Sequence, residues 1–480
     1  MPANEPHDTP RFGTSGLRGR IELLTRACIA DHTRAFLATG PTGGVVHLGH
    51  DLRPSSRALS AWLCDTLQTE GITVHDCGAL PTPALAHRAI VRGHAAIMVT
   101  GSHLAADRNG LKFFRPAGEI TKSDEQAISA ALNRPPATGP RGPAVAVNDP
   151  TSEYRARYHT AFGADALRGL RLGVFQHSSV ARDLMVTSLT ELCAQVIPFG
   201  RSNSFRPLDT EALDSEIRAE IETFCAAHSV DAVLSTDADA DRPLLTDATG
   251  QVWPGDVLGA CASRDLGASE ICTPITSNSL ITALPGIQHT HFTKIGSPYV
   301  IAAMYARQRC APGARLAGYE ANGGFLLGFE VQGPAGMLAP LLTRDSLLPM
   351  IAVLSQIRRT GQSLAERRAA LPRRFTASDR IAGVETSASH ALIDHLTRNA
   401  DARQRLVPDM GPEREISRID GLRIGFACGR ILHIRRSGNA PELRIYTEAE
   451  TQFAAEKCLK QCRKSVETRL AQTQRPVAQS

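Results

Sequence analysis

The chain has 480 residues, 42% of them apolar, and a net charge of +5, a length that calls for roughly three or four domains. Without a dense Lys/Arg cluster, that mild charge argues against a nucleic-acid surface and suits small anionic ligands, and no apolar run reaches the roughly 18 residues of a membrane span. The eleven cysteines are scattered, odd in number and free of any Cys-x-x-Cys pair, so they read as free thiols in a reducing, cytoplasmic compartment.

The first thirteen residues lack an apolar core and do not read as a signal peptide. A glycine-rich turn follows, Arg11-Phe-Gly-Thr-Ser-Gly-Leu-Arg18-Gly19, where backbone can approach a ligand closely. From there strand-like runs alternate with helical patterns, the signature of α/β architecture. A strand is predicted at 45–48, an amphipathic helix at 55–70 and strands at 72–75 and 95–100. The last of these ends at Gly101-Ser102-His103, which exposes a serine for attack. The loop lacks the Gly-x-Ser-x-Gly of a nucleophile elbow, which argues against a Ser-His-Asp hydrolase.

The segment 133–150, rich in Pro, Gly and Ala, reads as a linker that closes a first domain. A helix is predicted to start near Thr151, and strands at 170–175 and 230–234. The second strand leads into Asp237-Ala-Asp239-Ala-Asp241-Arg242. If that stretch were extended, its acids would share a face at roughly 6–7 Å and repel by about 2–3 kcal/mol per adjacent pair. A buried site tolerates this when a cation sits among them, and an all-oxygen donor set favours a hard ion such as Mg²⁺. The EF-hand alternative needs Gly and Glu where Arg242 and Ala248 stand.

A third unit of similar grammar opens at Gly255 and contains Thr293-Lys294-Ile-Gly and Gly318-Tyr-Glu320-Ala-Asn322-Gly-Gly. An acid and an amide before a Gly-Gly turn suit the paired hydroxyls of a sugar. Near Pro372 the pattern shifts to strand hairpins, as in 416–434, and to a smaller α+β domain. There Arg435-Arg-Ser437-Gly438-Asn439 reads as an anion nest with an arginine clamp. Together the loops offer a serine, a hard cation, a hydroxyl-binding acid and an anion cradle, an inventory that fits phosphoryl transfer to a polyhydroxy substrate.

In the same order these loops resemble those of the α-D-phosphohexomutase family, most closely its phosphomannomutase/phosphoglucomutase branch, over nearly the whole chain. The resemblance implies four domains around a central cleft: 1–146 with the serine, 147–254 with the metal loop, 255–370 with the sugar loop and 371–480, a TBP-like domain with the phosphate loop. The first three would share one α/β fold with mixed sheets. It implies that Ser102 is carried as phosphoserine and that Asp237, Asp239 and Asp241 hold Mg²⁺ with it. It implies that Arg18 and Lys112 serve proton transfer, Lys112 with a proton affinity lowered by cations such as Arg18. Arg242, Lys294, Glu320, Asn322, Arg435, Ser437, Gly438 and Asn439 would bind substrate. The expected reaction interconverts hexose 6-phosphate and hexose 1-phosphate, with mannose as the hexose and a hexose 1,6-bisphosphate as activator. Glucose and glucosamine phosphates, a sugar phosphatase and a non-catalytic sugar-phosphate binder are the alternatives. The partner is a small sugar phosphate, not nucleic acid or membrane, and the oligomeric state stays open.

Two departures from the family pattern carry expectations. Leu104-Ala105 stands where many members have Asn-Pro, which predicts a looser serine loop. Ala238 and Ala240 stand where glycine is frequent, which predicts strain wherever φ must be positive.

Overall fold

The computed structural model describes residues 9–13, 15–437 and 441–473. The chain forms two compact units, one built on residues 1–272, 285–289 and 296–370, the other on 273–284, 290–295 and 371–480. No helix among the described residues is long and apolar enough to cross a membrane. All eleven cysteines are free.

The larger unit repeats one strand arrangement three times. In the first sheet, Val45–His50 runs parallel to Ala95–Val99, which pairs antiparallel with Arg108–Arg115. In the second, Arg171–His177 runs parallel to Ala232–Thr236, which pairs antiparallel with Pro243–Asp247. In the third, Glu270–Pro274 runs parallel to Leu316–Tyr319, which pairs antiparallel with Phe325–Leu327. The second strand of each trio is fully buried, which is why the stretches at 95–100 and 230–234 read as apolar strands, while the short Leu316–Tyr319 gave no such reading. Each trio has one connection from the central strand to its antiparallel partner. Those three connections carry Ser102, the Asp triplet and Glu320.

The predicted elements sit close to the observed ones. The helix expected at 55–70 is Ser56–Thr69, and the helix expected near Thr151 is Ser152–Phe162, although Thr151 makes no side-chain cap. The segment expected as a linker contains a short strand, Ala144–Ala146, that extends the first sheet beside Thr73–Ala79. Three residues are too few to give a periodicity, so composition dominated that reading.

The smaller unit has a different architecture. Its antiparallel sheet runs Phe375–Ala382, Glu442–Ala449, Ile431–Arg436, Leu422–Phe426, Glu413–Ser417. The helices Thr386–Arg398 and Gln452–Thr473 help cover a core that includes Leu396, Leu422, Ile434, Ile445 and Cys462.

Candidate active site

Ser102 sits at φ 52°, in the left-handed region that non-glycine residues seldom adopt. Arg53 holds it there. Its guanidinium donates to the carbonyl oxygens of Ser102 (2.7 Å), Ala105 (2.7 Å), Arg108 (3.0 Å) and Leu104, and pairs with Asp51 at 3.2 Å. A Cβ at residue 101 would fall 2.6 Å from that guanidinium, so Gly101 is what admits it. Thr100 Oγ1 accepts from Ser102 N–H at 2.8 Å and donates to Asp51 at 2.7 Å. The looser loop expected without proline is therefore tied down by a buried arginine.

The Asp triplet is a turn and not an extended stretch: Thr236 pairs with Pro243, and residues 237–242 bend between them. Asp237 Oδ1 caps the turn, accepting from the N–H groups of Asp241 and Arg242 at 3.2 Å each. Curvature, rather than the alternation of a strand, brings the three carboxylates together, one oxygen of each within 4.8 Å of the others. All three are 0% exposed. Ala240 lies at φ 61°, so the strain expected of an alanine here falls on Ala240, while Ala238 is not among the positive-φ residues.

The serine and the triplet meet. Ser102 Oγ donates to Asp237 Oδ2 at 2.5 Å. Lys112, reached along Arg108–Arg115, donates to Asp239 Oδ2 at 2.6 Å and also to Asp241. Its partners are thus two carboxylates, the reverse of the cationic surroundings expected for a base. Thr82 Oγ1 adds a 2.6 Å bond to Asp239. Arg242 lies 4.0 Å from Asp237 Oδ2. Arg18, on Leu17–Arg20, donates to the Thr100 carbonyl.

Glu320 and Asn322 form a tight turn in which Gly323 N–H donates to Glu320 O at 2.9 Å and Gly324 N–H to Asn322 Oδ1 at 3.0 Å. Asn322 thereby spends its side-chain carbonyl on the turn, and its amide Nδ2 donates to Glu320 Oε2 at 3.5 Å. Arg344 ties this turn to the rest. Its fork reaches Asp241 Oδ2 at 2.7 Å, Glu320 Oε2 at 3.2 Å and Ser15 Oγ at 3.1 Å.

Burial, then the charges of Asp239 and Asp241, push the Asp237 carboxyl well above its usual range. Burial would also raise Asp239, but Lys112 more than offsets it and holds that carboxyl below its usual range. Burial pulls Arg18 down to about 10. Burial, with Arg242 and Arg18, drives His103 down to about 2, so this imidazole beside Ser102 is neutral, and its Nδ1 is buried without a partner. Asp239 Oδ1 and Asp241 Oδ1 are likewise buried and unpartnered. Orphaned carboxylate oxygens inside an all-oxygen cluster fit a hard divalent cation.

Of the residues singled out in the sequence, Arg18, Ser102, Lys112, Asp237, Asp239, Asp241, Arg242, Glu320 and Asn322 belong to the larger unit. Lys294, Arg435 and Ser437 belong to the smaller one. There Asp420 Oδ2 accepts from Ile295 N–H at 3.1 Å and lies 3.4 Å from Arg435 Nε, which draws the Lys294 turn towards Arg435. Gly438 and Asn439 lie outside the described residues. Arg53, Thr82, His103 and Arg344 were missed, and of these only His103 had a local signal, its place beside the serine.

Comparison with known proteins bears on this arrangement. The family described as phosphoglucomutase/phosphomannomutase matches at residues 9–138 (alpha/beta/alpha domain I), 254–375 (alpha/beta/alpha domain III) and 368–465 (C-terminal domain). A phosphomannomutase of Sinorhizobium fredii is 43% identical over 466 residues, covering 94% of this chain and 98% of the relative. A phosphomannomutase of Salmonella muenchen is 40% identical, covering 92% of each. The crystal structure of a phosphoglucomutase/phosphomannomutase family protein from Burkholderia thailandensis matches with a TM-score of 0.74 at 21% identity, over 95% of this chain and 97% of that one.

Proposed function

The chain belongs to the phosphoglucomutase/phosphomannomutase family, the α-D-phosphohexomutases, and on that premise we propose that it interconverts mannose 6-phosphate and mannose 1-phosphate through a phosphoserine at Ser102. The observation that carries this reading is the 2.5 Å bond from Ser102 Oγ to Asp237 inside a buried triplet of carboxylates.

In each half-reaction a phosphoryl group on Ser102 Oγ passes to the free hydroxyl of the bound hexose phosphate. The P–Oγ bond breaks, an O–P bond to the sugar forms, and the proton lost by the sugar hydroxyl ends on Ser102 Oγ. The 1,6-bisphosphate then turns over and returns its other phosphate to Ser102, which makes such a bisphosphate the natural activator. Asp237, Asp239 and Asp241 would hold Mg²⁺, which when bound offsets charge on the transferring group. Arg242 supplies fixed positive charge around the serine, while Lys112 and Arg18, cationic at rest, would relay the proton by giving up one of their own as it arrives. Neutral His103, with its unpartnered Nδ1, is a polar contact for substrate. Glu320 and Asn322 take sugar hydroxyls in either orientation. Arg435, Ser437, Gly438 and Asn439, with Lys294, take the phosphate that does not react. The same reading divides the chain into four domains at 1–146, 147–254, 255–370 and 371–480, and places the enzyme in the cytoplasm.

Mannose is the hexose of this proposal because the relatives at 43% and 40% identity are both named phosphomannomutase. Side-by-side turnover of mannose, glucose and glucosamine 1-phosphates tests it. Negligible turnover of mannose 1-phosphate beside rapid turnover of another sugar rejects the mannose assignment. Stoichiometric release of free phosphate instead of isomer makes the protein a phosphatase.

A further inference from the structure

Among the described residues a second group of side chains has metal-ligand chemistry, and it is built from imidazoles. His47 lies on Val45–His50, His75 stands across from it in register on the parallel strand Thr73–Ala79, and His94 immediately precedes Ala95–Val99. One nitrogen of each lies within 4.8 Å of the others. The His75 ring stands edge-on to His47 at 4.9 Å between centroids, and His94 stacks on His47 at 5.3 Å. His47 is buried while His75 and His94 are partly exposed, so the group has a dry floor and an open mouth. The strand Ala95–Val99, about 17 Å of extended chain, separates His94 from the serine loop at its other end.

We propose that His47, His75 and His94 form a site for a borderline divalent transition cation such as Zn²⁺, apart from the Asp triplet both in place and in donor type. Imidazole nitrogen suits Zn²⁺, Co²⁺, Ni²⁺ and Cu²⁺, whereas the all-carboxylate triplet suits Mg²⁺.

Hydrogen bonding around the group favours ligation. Cys77 Sγ lies 3.9 Å from His47 Nδ1, so the tautomer with Nδ1–H donating to sulfur leaves a lone pair on Nε2. That Nε2 is 3.1 Å from His94 Nδ1, and a cation takes the place of the hydrogen between them when His94 carries its N–H on Nε2 instead. His75 Nδ1 is buried without a partner. Burial, reinforced by neighbouring cationic and imidazole groups, drives His47 down to about 3 and lowers His75 and His94, so all three are neutral near pH 7 and need not release a proton to bind. Arg88 and Arg92 oppose a cation from the helix side, but Arg92 is neutralised by a two-pronged pair with Glu153. Because the ligands come from two strands and the start of a third, the bound ion staples the ends of neighbouring strands in the first sheet.

The test uses the full chain saturated with Mg²⁺, so that the triplet is occupied, and titrates it with Co²⁺ while visible d–d absorption and the thermal midpoint are followed. The proposal expects one equivalent of Co²⁺ with imidazole-type absorption, a raised midpoint, and displacement by Zn²⁺. In His94→Gln and His75→Gln the apparent affinity should fall roughly tenfold or more, with mutase turnover in Mg²⁺ unchanged. Both side chains are partly exposed, and a metal-free melt of each variant checks its fold. The proposal is overturned if the wild type takes up no Co²⁺ under these conditions. It is equally overturned if uptake survives in whichever variant melts like the wild type, or if Asp239→Asn alone abolishes uptake.

Discussion

Lys112 Nζ donates to Asp239 Oδ2 at 2.6 Å and also reaches Asp241, so one ammonium is shared by two of the three buried acids. Removing one partner of a buried pair leaves an uncompensated charge, at a cost of about 3–5 kcal/mol. Lys112→Met should therefore destabilise the chain by about that amount in chelator, with most of the loss recovered in Mg²⁺. Denaturant midpoints of wild type and variant, each with and without Mg²⁺, measure the difference. Equal Mg²⁺ dependence in the two proteins would contradict a cation among the acids.

Arg344 reaches Asp241 and Ser15 with one arm of its fork, Nη2, and Glu320 with the other, Nη1. Lysine cannot reproduce that planar reach. Both Arg344→Lys and Arg344→Met should lose about 2 kcal/mol of transition-state stabilisation, roughly a 30-fold fall in kcat/KM. Steady-state kinetics decide the point, and full activity in Arg344→Lys would show that charge alone suffices.

Ala240 carries positive φ in the turn of the Asp triplet. Glycine adopts that region freely, so Ala240→Gly should raise stability by on the order of 1 kcal/mol, net of the added freedom of the unfolded chain. Unfolding in chelator reads this directly, and a destabilised variant would mean that the alanine methyl packs better than its backbone is strained.

The triplet was legible because its three acids are close in sequence, as were the serine and the Gly-Gly turn. Their grouping followed from chemistry: each needs the others to make phosphoryl transfer possible. The strands leading to Ser102 and to the triplet were legible as apolar runs, whereas Leu316–Tyr319, four residues with a glycine among them, was not read as a strand. What local sequence withheld was the curvature of the triplet, which alternation suggested was extended, and the tethers that cross between elements. Arg53 lies 49 residues before Ser102, and Arg344 lies 24 beyond Glu320. Neither separation leaves a periodic mark. Arg344 precedes Asp345, whose carboxylate accepts from Tyr154, Tyr158 and Arg157, and that buried network becomes visible only once the helix Ser152–Phe162 packs near the strand Leu341–Asp345.

His177 is buried beside the turn of the Asp triplet, its Nε2 2.9 Å from the Thr236 carbonyl, and burial lowers it from 6.5 to about 4. Above pH 6.5 the imidazole is neutral both folded and unfolded and adds no pH dependence. As pH falls from 6.5 towards 4 the unfolded chain takes up a proton that the folded chain refuses, so stability falls by about 3 kcal/mol over that window and then levels off for this group. His177→Gln should flatten this part of the pH–stability curve. An unchanged slope between pH 6.5 and 4 would assign the acid sensitivity to other groups.

The central claim is that Ser102 carries the phosphoryl group in transit. Intact-mass measurement of the Mg²⁺-loaded protein after exposure to a hexose 1,6-bisphosphate, followed by addition of mannose 1-phosphate, tests it most directly. The account predicts one phosphate adduct that maps to Ser102, disappears on turnover and never forms in Ser102→Ala. Mutase activity retained in Ser102→Ala, or an adduct mapped to another residue, would contradict it.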